Sequence, residues 1–284
     1  MSNEFPLVEV FGYAAGANTP EAQKAAAEKW CPFSNTSCEK YRQYRFGYCS
    51  VTYAAVDDGR VRRNYAVCDH RLDGAPLKHV VADYFQNKPV ELVPEIVLTN
   101  PRTSFDFVAY SSTDISDVIA IETQAIDIRG GGVGPAWQAW ADGKAADWRQ
   151  YFTDEAIRKG RKDTVAYGVN MANIYKRLGL QVAVKGTYLK GINVPFYVLM
   201  QDRPFEYLRN RIRFEEAKSN WDISFVTFDY TGKLQRNGQL EFAHVRTIRA
   251  TVESYVAAMS SDNRMAAAAR EDFLERIKRK AGLR

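Results

Sequence analysis

Apolar residues recur along this chain with two periods, and each period predicts its own elements. Alternation marks strands: Phe105, Phe107 and Ala109 interleave with Asp106, Val108 and Tyr110. Leu7 to Gly12 predicts a short first strand. Val118 to Ile121 is wholly apolar and reads as a buried central strand that runs into Glu122-Thr123-Gln124. Two more strands are predicted at Val194 to Gln201 and Ile223 to Tyr230. A first helix is predicted over the Ala-rich stretch Glu21 to Trp30, with Thr19 as N-cap and Pro20 at its first position. Others are predicted around Leu77 to Phe85, Val245 to Met259 and Met265 to Lys280. From Asn170 to Val184, Met171, Ile174, Tyr175, Leu178 and Val182 share one side and leave Asn170, Asn173, Arg177 and Gln181 on a polar face. Strands mixed with helices of these lengths predict an α/β or α+β domain.

With 284 residues, 46% of them hydrophobic, the chain is long enough to bury a core. The net charge of +5 permits a nucleic-acid partner without requiring one. No leader-like N-terminus or membrane-length apolar run is read, so a cytoplasmic protein is expected. In a reducing compartment the cysteines are expected as thiols or metal thiolates.

All four cysteines, Cys31, Cys38, Cys49 and Cys68, fall in one window of 38 residues, spaced C-x6-C-x10-C-x18-C. The window is polar, aromatic and rich in turn signals such as Asp57-Asp58-Gly59, which reads as a compact insert stapled by a metal. Four thiolates around iron or zinc form a closed shell, so such a site is structural. Four independent buried thiols would satisfy the same spacing. A second constellation joins Asp106 to Glu122 and Gln124, which lie two apart and project from one face of a strand. A carboxylate pair at the end of an apolar sheet has a divalent cation such as Mg²⁺ as its simplest partner, which cancels its charge, and polar residues on an exposed strand face would give the same pattern.

The run Cys31-Pro32-Phe33, Cys38, Cys49 and Val61-Arg62-Arg63-Asn64-Tyr65-Ala66-Val67-Cys68 resembles the cysteine module of the NotI-type restriction endonucleases. Ser104-Phe105-Asp106-Phe107 and Ile121-Glu122-Thr123-Gln124 are similar to that family's two active-site strands, and Asn170 to Lys185 to the helix that follows them. The resemblance covers roughly residues 30 to 185. It implies a PD-(D/E)xK core, a mixed central sheet flanked by helices, with an inserted four-cysteine module. Residues 1–75 would hold the module and 76–284 the nuclease and DNA-recognition domain. It further implies Fe or Zn on the cysteines, a homodimer, and cleavage of double-stranded DNA within a GC-rich palindrome. A cognate DNA methyltransferase is expected in the same prokaryotic host. Carried over by position, Asp106 and Glu122 hold the catalytic Mg²⁺, Gln124 stands where a lysine is commoner, and Glu95 is an additional acidic candidate. For DNA contact the candidates are Arg62, Arg63, Asn173, Lys176 and Arg177, with Arg129 beside the loop Gly130 to Gly134. Two other readings stay open: a PD-(D/E)xK nuclease of looser specificity, and a non-catalytic four-cysteine DNA-binding protein.

Overall fold

The computed structural model describes residues 4–55, 59–99, 102–130, 132–161, 167–261 and 270–282. The N-terminal part carries β1 (Leu7–Val10), β2 (Tyr13–Ala14), α1 (Pro20–Glu28), β3 (Trp30–Cys31), β4 (Thr36–Ser37), α2 (Glu39–Tyr44), β5 (Tyr48–Ala54) and β6 (Arg62–Ala66). Thr19 caps α1 as predicted, its hydroxyl accepting from the Ala22 N–H, and Pro20 begins the helix. The helix is shorter than expected: Lys29 adopts a left-handed conformation that ends it, and Trp30 and Cys31 pair with β4 instead. β2, β1, β5 and β6 form a four-stranded sheet in that order.

The chain then enters α3 (His70–Asp73), α4 (Ala75–Phe85), β7 (Val90–Thr99), β8 (Arg102–Ser111) and β9 (Asp114–Gln124). β10 (Ile128–Gly130) pairs with β11 (Tyr167–Val169), and between them lie α5 (Gly134–Ala141) and α6 (Trp148–Arg158). One continuous helical stretch follows: α7 (Met171–Asn173), a π-helical turn (Ile174–Gly179) and α8 (Leu180–Gly191). β12 (Phe196–Gln201), α9 (Asp202–Arg209), β13 (Ile223–Leu234), β14 (Leu240–Ala250), α10 (Val252–Ser260) and α11 (Arg270–Ala281) complete the described chain.

The central sheet has six strands in the order β14-β13-β12-β9-β8-β7. β12 runs parallel to both β9 and β13, and the other neighbours are antiparallel. The fold is therefore mixed α/β, a mixed central sheet flanked by helices. Along β12, Phe196, Val198 and Met200 join the apolar cluster that contains Leu178, Val182 and Leu189. Tyr197 and Leu199 join the opposite cluster with Leu77, Val80 and Phe85 of α4. Two buried faces explain why this strand carries no polar residue before Gln201. On β9 the same alternation sends Ile119 and Ile121 toward α4 and Ala120 toward α8.

The expected helix from Val245 to Met259 is half right: residues through Ala250 continue β14, and the helix starts at Val252 behind its Thr251 cap. Their cross-strand pairing with β13, Thr227 opposite Arg246 and Phe225 opposite Ile248, outweighs a helical spacing that is only local. The expected helix from Met265 is described from Arg270 onward, and residues 265–269 lie outside the described part. Among the described residues, no helix is long and apolar enough to cross a membrane.

Candidate active site

Asp106 and Glu122 meet where the pairing of β8 with β9 ends. The ladder between these strands runs through Phe107 opposite Ile121, and one residue further the Asp106 side chain takes over. Its Oδ2 accepts from the Thr123 backbone N–H at 2.8 Å and from the Thr123 hydroxyl at 3.1 Å. Glu95 follows from the register of β7: Pro94 pairs with Phe107 and Ile96 with Phe105, which leaves Glu95 across from Asp106. Glu95 sits at a positive φ of 50°, a local break in an otherwise extended strand. All three carboxylates line one cavity of about 590 Å³, as does Gln124.

Reading the sequence missed a fourth participant. Lys185 of α8 reaches under the sheet, its Nζ 2.6 Å from Glu122 Oε2 and over the ring of Phe105. Both partners of this pair are more than nine-tenths buried. Even so, burial first and the Asp106 carboxylate second raise the Glu122 carboxyl to about 7, against the opposing pull of Lys185. A signal was present: Lys185 continues the four-residue steps from Asn173 through Arg177 and Gln181. Gln124, which stands where a lysine is commoner, turns its amide to the neighbouring Ala125 carbonyl at 2.5 Å and bonds neither carboxylate.

The cysteine window adjoins this site. All four thiols are buried and none forms a disulfide. Each of Cys38, Cys49 and Cys68 feels the charge of Cys31, and burial pushes all three upward, Cys68 to about 12. The Gly12 backbone N–H points at Cys49 Sγ from 3.3 Å. Among the described residues, no three His, Cys, Asp or Glu side chains are gathered as a formed metal shell, here or at the carboxylates. Directly after Cys68, Asp69 Oδ1 accepts from the Ala125 N–H at 2.8 Å, and the Ile126 N–H donates to the Ala66 carbonyl. Gln201, at the end of β12, bonds both the Ala66 N–H and the Asn64 carbonyl. His70 is bonded by Asp73 on one ring nitrogen and Glu39 on the other, which holds its imidazole up to about 9.

The other candidates are spread out. Asn173 and Arg177 both donate to Asp127 Oδ2, at 2.9 and 3.2 Å, and Arg177 lines the cavity. Lys176 is exposed and is not part of the cavity lining. Arg62 and Arg63 stand on β6 outside the cavity lining, Arg62 with Glu4 at 3.3 Å. Arg129 is placed by its backbone on β10, and its side chain lies outside the described part, as does Gly131 of the glycine loop.

No protein-family model matches the chain, and no curated protein is similar to it.

Proposed function

We propose that the protein is a DNA endonuclease dependent on a divalent cation, with a PD-(D/E)xK core and a four-cysteine metal module of the kind in the NotI-type restriction endonucleases. The observation that carries this reading is the convergence of Glu95, Asp106, Glu122 and Lys185, from three neighbouring strands and one helix, on a single open cavity. Lys185 pairs with Glu122, while burial first and the nearby Asp106 carboxylate second hold the Glu122 carboxyl up to about 7. Those residues fit Mg²⁺, with Asp106 and Glu122 to hold it and Glu95 at the rim. When bound, the ion supplies Lewis-acid polarisation of a phosphodiester and a lowered pKa for the attacking water.

The chain's own residues do the rest. Thr123 aims the Asp106 carboxylate through two hydrogen bonds, and Lys185 holds Glu122. The ammonium of Lys185 offers fixed positive charge to the phosphate, which the uncharged amide of Gln124 does not. Gln124 is left to orient water or phosphate. The four thiols suit iron or zinc by donor chemistry, and a metal there would brace the segment from Ala66, the last residue of β6, to Asp69 onto the site. A double-strand break at a symmetric site requires two chains related by a two-fold axis, so the working form is a homodimer.

The test is to incubate the purified protein with sequenced phage DNA and Mg²⁺ and to map the ends. Discrete fragments sharing one end sequence are expected. Ends with no common sequence would assign a nuclease of looser specificity, and DNA bound but uncut would assign a non-catalytic binding protein. Elemental analysis should find one iron or zinc per chain.

A further inference from the structure

We propose that Asp127 is the residue that ties reading of the DNA to cutting, by holding Asn173 and Arg177 as one base-reading pair at a fixed offset from the catalytic strand. The inference rests on the nuclease reading above and names the specificity device of that same site.

Asp127 lies three residues past Gln124, on the connector that leaves β9. That connector is pinned on one side by Asp69 and Ala66, through Ala125 and Ile126. On the other side Asp127 makes three bonds to the start of the α7 helical stretch. Its carbonyl accepts from the Asn170 N–H at 2.7 Å, and Oδ2 accepts from Asn173 Nδ2 and Arg177 Nη1. Among the described residues only Nη1 of the Arg177 guanidinium is engaged, which leaves the rest of its donor fork at the cavity. A guanidinium held this way suits the O6 and N7 acceptors of guanine, and an amide beside it suits a neighbouring base edge.

The π-helical turn supports the same conclusion. Four-residue steps overshoot an α turn of about 3.6 residues. A π turn, hydrogen-bonded across five residues, is wider and corrects the drift. Asn173, Arg177, Gln181 and Lys185, four residues apart across this turn, are thereby kept on one stripe, from Asp127 at one end to Glu122 at the other. Exposure falls along it, from exposed Arg177 through half-buried Gln181 to buried Lys185. One rigid element thus spans both the reading and the cutting end.

The experiment measures equilibrium binding, in Ca²⁺, of a duplex carrying the mapped cleavage site and of a scrambled duplex. Asp127→Ala should weaken binding to the mapped-site duplex roughly 10-fold and leave the scrambled duplex unchanged or slightly tighter. Asp127→Asn keeps an acceptor oxygen, so it should recover part of the preference, and it serves if the alanine variant unfolds. Combined with Arg177→Gln, the losses should not add, because both substitutions break one unit. Additive losses would overturn the proposal, as would Asp127→Ala tightening both duplexes alike, which would make Asp127 a mask on the arginine. If the wild-type protein yields no cleavage site to map in Mg²⁺, the nuclease reading itself falls and the role of Asp127 with it. If it prefers the mapped site and Asp127→Ala keeps that preference, the coupling alone falls.

Discussion

Among the described residues two carboxylate–cation pairs are buried, and their surroundings differ. Glu9 of β1 meets Arg71 of α3, with Nε 3.1 Å from both carboxylate oxygens. Ser50 and Tyr230 add hydroxyl donors to Glu9 at 2.8 and 2.7 Å, and Arg71 also donates to the Leu240 carbonyl. The guanidinium lies 4.6 Å from the ring centres of Phe33 and Phe242. That pair is enclosed, and it joins the N-terminal sheet to the β13–β14 hairpin. Glu122 and Lys185 are nearly as buried, yet the Asp106 carboxylate works against the charge of Glu122 and a cavity opens beside them. A satisfied buried pair ties parts of a fold together, whereas a pair left short of charge is poised for a ligand.

The comparison is broken most forcefully at the carboxylates. Asp106→Asn and Glu122→Gln preserve size and remove the charge that attracts a cation. Cleavage should fall by about three orders of magnitude or more, roughly 4 kcal/mol of barrier. Gel-shift affinity should survive or tighten, because the DNA backbone meets less negative charge. A Glu122→Gln enzyme that cuts at the wild-type rate would move the site elsewhere.

Next in size is the enclosed pair. Arg71→Met leaves the buried Glu9 side chain without its cation and should cost about 3–5 kcal/mol, read as a lower urea midpoint. Lys185→Met should cost less, about 1 kcal/mol, because Glu122 can take up a proton beside an open cavity. Equal losses in the two variants would erase the distinction between them.

A pH series sharpens the contrast. Glu122 is protonated in both folded and unfolded chains below about pH 4.3 and ionised in both above about 7. Between those limits the folded chain binds the extra proton, so stability falls as pH rises, by about 4 kcal/mol at most. Urea unfolding of wild type minus Glu122→Gln, in EDTA, should show this slope, and Mg²⁺ should flatten it. A difference that does not change with pH would show that Lys185 already balances the site.

Much of this site was legible before the fold was known. Asp106 and Glu122 sit on strands that alternation and an apolar run announce, and strand periodicity alone places Glu122 and Gln124 on one face. Lys185 was harder, because its pairing depends on how α8 crosses β9, and no local period encodes that crossing. β5 and β6 were read as a turn-rich insert because their buried residues, among them Val51 and Tyr65, are interrupted by polar ones, of which Ser50 and Thr52 face neighbouring chain rather than water. The Glu9–Arg71 pair joins residues 62 apart, so nothing in either neighbourhood announces it. The end of β14 failed for the opposite reason, a helical period that cross-strand pairing overrules.

The smallest effect expected concerns how Asp106 is aimed. Thr123 gives it two hydrogen bonds, one from the backbone and one from the hydroxyl, and only the second depends on the side chain. Thr123→Val keeps the shape and the backbone bond at 2.8 Å while deleting the hydroxyl bond at 3.1 Å. The lost bond to a charged group contributes about 1 kcal/mol, so cleavage should slow by roughly 5- to 10-fold. Stability should change little, because valine suits a buried strand position and Asp106 stays hydrated from the cavity. Single-turnover cleavage and the urea midpoint, measured on the same preparation, check both halves. A loss as deep as that of Asp106→Asn would mean that the hydroxyl, and not the end of the β8–β9 ladder, sets the carboxylate in place.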